Sequence, residues 1–310
     1  MSAEKAIKII EEVKRVVIGK DECIRKIMMA MLAGGHILLE DIPGVGKTTL
    51  ALAFSRACAL KQNRVQFTPD VLPSDITGFS VYRKETGSFR YQPGAAMCNL
   101  FLADEINRTS PKTQSALLEV MEEGNVTVDG VTREVPRPFT VIATQNPVGS
   151  AGTQMLPESQ LDRFMIRLSM GYPTMEEEMR LIKERQDINP LDFIQEIISK
   201  RELLQMQDQV KQIYVDDKVL KYLSRIVDGT RKHAMISLGV SPRGTLAFMD
   251  MSKGRAFVKG RTFVLPEDIQ GVASAVLAHR LLLNGKARMA HITEQDVVEE
   301  IVNKVPVPKL

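Results

Sequence analysis

A glycine-rich turn at residues 43–49 carries a lysine and two threonines, and it lies between an apolar run at 36–39 and a helical pattern at 50–54. A strand, a glycine-rich turn and a helix in this order are typical of a phosphate-binding loop. Glycines let backbone N–H groups surround phosphate oxygens, and the helix N-terminus adds a partial positive charge. Lys47 can reach the β- and γ-phosphates of a triphosphate, and Thr48 can bind Mg²⁺. We therefore predict that the site comprises Pro43, Gly44, Val45, Gly46, Lys47, Thr48 and Thr49.

The loop departs from the full pattern at one position. Asp41 stands where that pattern has a glycine, six residues before Lys47. The remainder of the motif is intact, and Pro43 stiffens the approach to it. The alternative interpretation is a chance glycine turn before a helix.

Two adjacent carboxylates follow the apolar run 100–103. In an open α/β sheet, ligands bind at the carboxyl ends of the strands, so both side chains should lie beside the phosphate-binding loop. We expect Asp104 to hold Mg²⁺ and Glu105 to accept a proton from an attacking water. The alternative is a pair of acids that merely favours a helix N-terminus.

Three further side chains could act on the same phosphate. Asn146 follows the apolar run 140–144 and could orient the water, although Asn-Pro is also a common turn. Arg163 follows a helical stretch, and Arg243 lies just inside a helix that Ser241 should cap. An arginine at a helix N-terminus opposes the helix dipole unless an anion is near. The alternatives are a surface salt bridge for Arg163 and a solvated side chain for Arg243.

The elements that must position these residues alternate between strand and helix up to about residue 170. Apolar runs at 100–103 and 140–144 are typical of buried parallel strands, and Ser110 and Gly124 should bound a helix. We therefore predict an α/β fold, a parallel sheet with helices on both faces. Two hairpins, at 79–91 and around Asp129-Gly130, should project from it.

The pattern beyond Tyr172 is helical throughout. Thr174 and Glu177 have capping-box spacing, and so, more loosely, have Thr293 and Asp296. We therefore predict two domains, an α/β nucleotide-binding domain over residues 1–172 and a small, all-helical lid domain over 173–310.

The composition limits the possible classes of protein. A net charge of +3 over 310 residues favours neither nucleic acid nor an anionic membrane. Three widely spaced cysteines argue against a disulfide framework or zinc site.

The N-terminus should form an amphipathic helix with Ile7, Ile10, Val13 and Val17 on one face, and it lacks the features of a signal peptide. The most apolar stretch, 27–39, is too short to span a bilayer, so we expect a cytoplasmic protein without membrane insertion.

Taken together, these residues resemble the AAA+ ATPases. The matching parts are Walker A at 43–49, Walker B at 100–105, sensor 1 at Asn146, the arginine finger at Arg163, sensor 2 at Arg243, and the adenine-packing stretch at Val17, Ile18 and Gly19. The segments 39–48, 66–78, 104–108 and 143–147 resemble the MoxR branch of this superfamily, in which an acid at position 41 is usual. The two hairpins resemble the helix-2 insert and pre-sensor-1 hairpin of the same clade.

The resemblance implies a homo-oligomeric ring, commonly a hexamer, with ATP and Mg²⁺ between subunits. Arg163 would then act on the neighbouring subunit's nucleotide. It also implies chaperone-like remodelling of a client protein, often with a von Willebrand factor A domain partner, during maturation or metal-cofactor insertion.

Three alternatives remain open at this point. The hairpin 79–91 interleaves aromatic and basic residues, which would suit a nucleic-acid motor, although an ordinary exposed hairpin also carries such residues. A non-enzymatic scaffold would have no need of Glu105. The third alternative is a magnesium-chelatase-type AAA+ subunit, and only the MoxR-like segments named above favour the MoxR branch over it.

Overall fold

The computed structural model describes residues 2–41, 44–146, 156–184 and 189–309. The strands are β1 Ile37–Glu40, β2 Gln62–Gln66, β3 Gly78–Arg83, β4 Ser88–Pro93, β5 Leu100–Asp104, β6 Asn125–Val128, β7 Val131–Glu134, β8 Thr140–Gln145, β9 Ile166–Leu168, β10 Ile236–Leu238 and β11 Leu282–Leu283. The helices are α1 Ser2–Lys14, α2 Asp21–Leu32, α3 Lys47–Ala57, α4 Pro73–Thr77, α5 Pro111–Glu123, α6 Glu158–Leu161, α7 Met175–Glu184, α8 Lys200–Lys211, α9 Asp217–Lys232, α10 Pro242–Val258, α11 Pro266–Leu277, α12 Gly285–Met289 and α13 Glu294–Lys304. Short 3₁₀ turns occur at Ile106–Arg108, Pro190–Phe193 and Ala278–Arg280.

The predicted parallel sheet is confirmed. Five strands lie in the order β2-β5-β8-β1-β9, and every neighbouring pair is parallel. The strands β5 and β8 occupy the interior of the sheet and are buried along their whole length, which explains the apolar residues that form most of β5 and the middle of β8. The carboxyl ends of β1, β5 and β8 therefore meet at one edge of the sheet, where ligands bind in open α/β folds.

Alternate residues of the central strands feed two hydrophobic cores. Leu100 and Leu102 pack with α1, α2, α3 and the helices of the C-terminal half. Phe101 and Ala103 point the other way, toward α5 and the two hairpins. This period of two is the geometry of a strand covered on both faces. The N-terminal helices thus share one core with the C-terminal helices as well as with the sheet.

The two predicted hairpins are confirmed as antiparallel pairs outside the main sheet. The strands β3 and β4 pair from Gly78–Pro93 to Arg83–Ser88, and β6 pairs with β7. Asp129 and Gly130 both have positive φ, as the tight turn between β6 and β7 requires.

The C-terminal half is mainly helical, as predicted, and its helices begin at the expected caps. The Ser241 hydroxyl accepts a hydrogen bond from Gly244 N at 3.0 Å, and Thr293 forms a capping box with Asp296. The expectation of helix throughout was wrong at β10 and β11, which form a short antiparallel pair interrupted by a register shift. None of the helices within the described residues is long and apolar enough to cross a membrane.

Candidate active site

The turn after β1 has the backbone geometry that a phosphate-binding loop needs. Gly44 and Gly46 have φ values of 87° and 94°, which only glycine adopts without strain, and Gly46 precedes the first residue of α3. A Cβ atom on either glycine would meet no described atom within 4 Å, so this backbone faces open space. Pro43, the remaining predicted contact, lies outside the described residues.

Lys47 begins α3 and is largely buried, with 8% of its surface exposed. Its Nζ donates a hydrogen bond to the carbonyl oxygen of Asp41 at 2.9 Å. Burial lowers the pKa of Lys47, while the nearby carboxylates of Asp41, Asp104 and Glu105 act in the opposite direction. The lysine therefore lies among acids and beside the open loop, where an incoming phosphate would find its positive charge.

Asp41 explains the missing glycine of the sequence pattern. Its carboxylate accepts hydrogen bonds from Ser169 Oγ at 2.9 Å, from Gly171 N at 3.0 Å and from the backbone N–H of Met170. Because charge-assisted hydrogen bonds are stronger than neutral ones, this side chain fastens the start of the loop to the segment after β9. A glycine could make none of these contacts.

Asp104 ends β5 and is 5% exposed. Its Oδ2 accepts a hydrogen bond from Arg64 Nε at 2.7 Å, and its Oδ1 accepts one from the Thr144 hydroxyl at 3.4 Å. Arg64 comes from the neighbouring strand β2, so its guanidinium neutralises the carboxylate from the solvent side.

Glu105 is held by three side-chain donors from three directions. Asn146 Nδ2 donates to Oε1 at 2.8 Å, while Gln66 Nε2 at 2.8 Å and Arg108 at 2.7 Å donate to Oε2. The backbone of Glu105 is left-handed, with φ of 57°, and its N–H donates to Thr144 Oγ1 at 2.8 Å. Burial opposes ionisation of Glu105, but the hydrogen bonds from Arg108 and Asn146 outweigh it and hold its pKa below the ordinary value. The residue is therefore a carboxylate at neutral pH.

The loop, the two carboxylates and the amide line one open cleft of about 310 Å³. Its walls are formed by Gly44, Gly46, Lys47, Thr48, Thr49, Arg64, Gln66, Asp104, Glu105, Thr144 and Asn146. Thr48 and Asp104 supply a hydroxyl and a carboxylate, the oxygen donors that Mg²⁺ prefers, so the residues present fit that ion. The cleft thus brings together a cationic phosphate-binding loop, oxygen ligands for a metal and a carboxylate base.

A second, smaller cleft of about 100 Å³ also borders the loop. It is lined by Val17, Ile18, Lys20, Gly44, Val45, Gly46, Thr49, Pro173 and Leu181. Its mostly apolar walls could receive a flat base whose phosphates lie in the first cleft. Gly19, next to Ile18, has φ of 73°, and a Cβ there would lie 2.1 Å from the carboxyl carbon of Glu177. The positive φ favours glycine here, and a side chain at this position would displace the Glu177 carboxylate at the start of α7.

Among the described residues, the two predicted arginines are not part of either cleft. Arg163 contacts Glu122 Oε2 at 2.9 Å and donates to the carbonyl oxygen of Leu118 at 2.8 Å. Arg243 pairs with Oε1 of the same Glu122. The alternative of an ion pair therefore describes Arg163 in the isolated chain, and Arg243 is ion-paired rather than simply solvated.

Sequence reasoning missed the contribution of Arg64, Gln66, Arg108 and Thr144 to this site. Arg64 and Gln66 lie two residues apart on β2, so both side chains point to the same face. The spacing of two polar side chains on one strand was a usable signal. The position of Arg108, one 3₁₀ turn after Glu105, was a weaker signal.

Comparisons with known proteins agree with this geometry. Residues 36–166 match the profile of the ATPase family associated with various cellular activities (AAA), and residues 228–301 match an AAA lid domain. The chain is 46% identical to the uncharacterized protein YeaC of Bacillus subtilis, over 97% of this chain and 94% of that protein. It is 38% identical to Chaperone MoxR1 of Mycobacterium tuberculosis, over 96% and 81%. A crystal structure of a candidate ATPase from Cytophaga hutchinsonii superposes with a TM-score of 0.91 at 36% identity, covering 99% of this chain and 96% of that one.

Proposed function

The chain belongs to the MoxR family of AAA+ ATPases, and on that premise we propose that it binds and hydrolyses ATP in the cleft beside the phosphate-binding loop. The observation that carries the proposal is the shared cleft, in which Lys47, Asp104, Glu105 and Asn146 line one space although they are far apart in sequence.

The roles follow from the position of each group. Lys47 offsets negative charge on the β- and γ-phosphates, and Thr48 and Asp104 would hold Mg²⁺. When bound, Mg²⁺ would neutralise charge on the phosphate oxygens. Glu105 accepts the proton of the attacking water as its oxygen bonds to the γ-phosphorus and the β–γ anhydride bond breaks, which leaves ADP and phosphate. Asn146 and Gln66 fix the direction in which the Glu105 carboxylate points. Ile18 and Gly19 would contact the adenine.

We further propose that the working form is a ring, as is common in this family, and that it is a hexamer. The support within this chain is the location of Arg163 and Arg243, whose described contacts, with Glu122 and with the Leu118 carbonyl oxygen, lie outside the chain's own cleft. In a ring, both could approach the nucleotide of the neighbouring subunit. Each site would then need two chains for hydrolysis.

The proposed role of the hydrolysis is the remodelling of a client protein in the cytoplasm, with a von Willebrand factor A domain partner and, in some clients, insertion of a metal cofactor. A relative named a chaperone supports the remodelling role. Three free cysteines, all buried, suit a reducing compartment. The division into domains at 172/173 also remains a proposal, supported by the family matches on either side of it.

The test is Glu105→Gln, which keeps the shape of the side chain and removes its basicity. We expect ATP affinity to stay within about threefold and turnover to fall by about 100-fold or more. Glu299→Gln, an exposed change on α13, serves as the control for the loss of one negative charge. Turnover near wild type in Glu105→Gln would remove Glu105 from the role of base.

A nucleic-acid motor is the second candidate function, because the β3–β4 hairpin exposes an aromatic pair. Tyr82 and Phe89 stack edge-to-face at 5.3 Å and are 52% and 73% exposed, and they lie among exposed basic residues. Stacking of bases on such rings would appear as salt-dependent binding of single-stranded DNA and as DNA-stimulated ATPase activity. If neither is observed, the hairpin does not bind nucleic acid, and a client or partner protein becomes its expected binding partner.

A further inference from the structure

Glu122, near the end of α5, binds two arginines from distant parts of the chain. Its Oε2 contacts Arg163 at 2.9 Å, and its Oε1 contacts Arg243, which lies 121 residues away in sequence. All three side chains are partly exposed, with between 30% and 46% of each side chain accessible to solvent. One carboxylate therefore sets the spacing between two guanidinium groups at the protein surface.

A partly buried network of side chains joins the two segments that carry the arginines. Asp162, which precedes Arg163, accepts hydrogen bonds from Arg280 Nε and from the Ser241 hydroxyl, each at 2.8 Å. Ser241 is the N-cap of α10, two residues before Arg243. Burial lowers the pKa of Arg280 only to about 10, so its guanidinium group stays charged at neutral pH. The turn at 162–163 and the start of α10 are thus fixed to each other.

The charges of this cluster favour a further anion. Two guanidinium groups and one carboxylate leave a net charge of +1, and each guanidinium has five N–H donors, of which Glu122 can engage only some. Arg243 also faces the positive end of the α10 dipole, so a second anion beside it would be stabilising. A phosphoryl group has enough oxygens to bind both arginines while Glu122 remains between them.

We propose that Glu122 is a positioning residue that holds Arg163 and Arg243 together as one unit, which binds the terminal phosphate in the neighbouring subunit's site. This inference rests on the proposed ATPase function. It assigns the two arginines a joint action, rather than two independent ones, and it gives the carboxylate between them an orienting role.

Steady-state kinetics of the assembled protein provide the first test. Glu122→Gln should lower kcat by about 10- to 100-fold, because misplaced charge is costly in the transition state, while KM for ATP stays within about threefold. Glu122→Asp should recover part of kcat. Glu119→Gln, an exposed change one turn earlier on α5, should behave as wild type. In an Arg163→Ala background, Glu122→Gln should cost much less than it does alone.

Arginine NMR of the unassembled chain provides a readout that does not need hydrolysis. Glu122→Gln should shift the Nε–Hε resonances of both Arg163 and Arg243, whereas Glu119→Gln should shift neither. Unchanged resonances would overturn the shared contact. A kcat for Glu122→Gln equal to or above that of wild type would overturn the positioning role, since a merely competing carboxylate would raise kcat when removed. If the wild-type ring is inactive but Glu122→Gln still shifts both arginine resonances, the ATPase proposal fails and the pairing of the two arginines by Glu122 stands.

Discussion

Asn146 Nδ2 lies 2.8 Å from Glu105 Oε1 and donates a hydrogen bond to it. The two residues follow β8 and β5, which are neighbours in the parallel sheet, so the contact depends on the strand order and not on proximity in sequence. The same carboxylate accepts from Gln66 and Arg108 on its other oxygen. Three donors therefore compete with a water molecule for the proposed base, and they also fix its orientation.

Removal of the Asn146 amide should show whether this residue acts in hydrolysis or in nucleotide binding. For Asn146→Ala, we expect turnover to fall by about 10- to 100-fold, because Glu105 loses the donor on Oε1 and the water loses a possible partner. ATP affinity should change little, since Lys47 and the loop remain. Nucleotide titration and single-turnover hydrolysis measure the two quantities separately. A variant that loses affinity but keeps its rate would place Asn146 in binding alone.

Mixing of two inactive variants tests whether Arg163 acts on a neighbouring chain. Arg163→Ala and Glu105→Gln should each be nearly inactive as pure assemblies. In a mixture, some interfaces would join an intact Glu105 site to an intact Arg163, so ATPase activity should reappear and depend on the mixing ratio. A mixture that stays as inactive as its components, with exchange of chains verified, would argue against action between subunits.

Gly19 offers a test of the second cleft. Gly19→Ala places a methyl group at a positive φ and displaces the Glu177 carboxylate from its contact with Thr174 N, so we expect weaker nucleotide binding and a loss of about 1–2 kcal/mol in the free energy of unfolding. Gly260→Ala is the matched control, because Gly260 has φ of 75° and a Cβ there would meet no described atom within 4 Å. The control should share the backbone strain and keep its ATP affinity. Isothermal titration and denaturant unfolding of both variants give the comparison.

The acid side of the pH–rate profile should depend on Arg108. Glu105 has a pKa below the ordinary value of 4.5, so it is active as a carboxylate above that pH. Arg108→Ala removes a donor that lowers this pKa, whereas burial, which raises it, remains. The acid limb of kcat/KM, which reports groups of the free enzyme, should therefore move to higher pH. The lowered pKa also stabilises the fold above the unfolded-state value, and this contribution disappears as the pH falls through the folded-state pKa. A limb that does not move would mean that Glu105 is not the group being titrated.

The parts of the fold that have strong local signals were predictable from the sequence. Ser110 does cap α5, which ends before Gly124, and the apolar runs at 100–103 and 140–144 are the central strands. The phosphate-binding loop and the residues after these strands could be expected to meet because parallel strands end at the same edge. Helix-capping residues, apolar runs and the common direction of the strands were sufficient to predict these elements and the position of the site.

Other features depend on tertiary packing that no local pattern encodes. Ile7 was expected on the buried face of α1, yet it is 46% exposed, and Ala6 and Ile9 are buried instead. In the structure, α1 packs against α2, α3 and α10, and Ala6 and Ile9 lie in the core that these helices share. The shared contact of Arg163 and Arg243 with Glu122 spans more than a hundred residues and has no signature in spacing.

Asp41 connects the phosphate-binding loop to the segment that leads into the C-terminal helices. Its carbonyl oxygen receives the Lys47 ammonium group, while its carboxylate grips the backbone of Met170 and Gly171, a few residues before α7. An ammonium group has three N–H donors, so Lys47 can keep this carbonyl as a partner while it also donates to a phosphate. The side chain that breaks the glycine pattern thus holds the start of the loop against the segment that leads into α7, so the placement of both depends on one carboxylate.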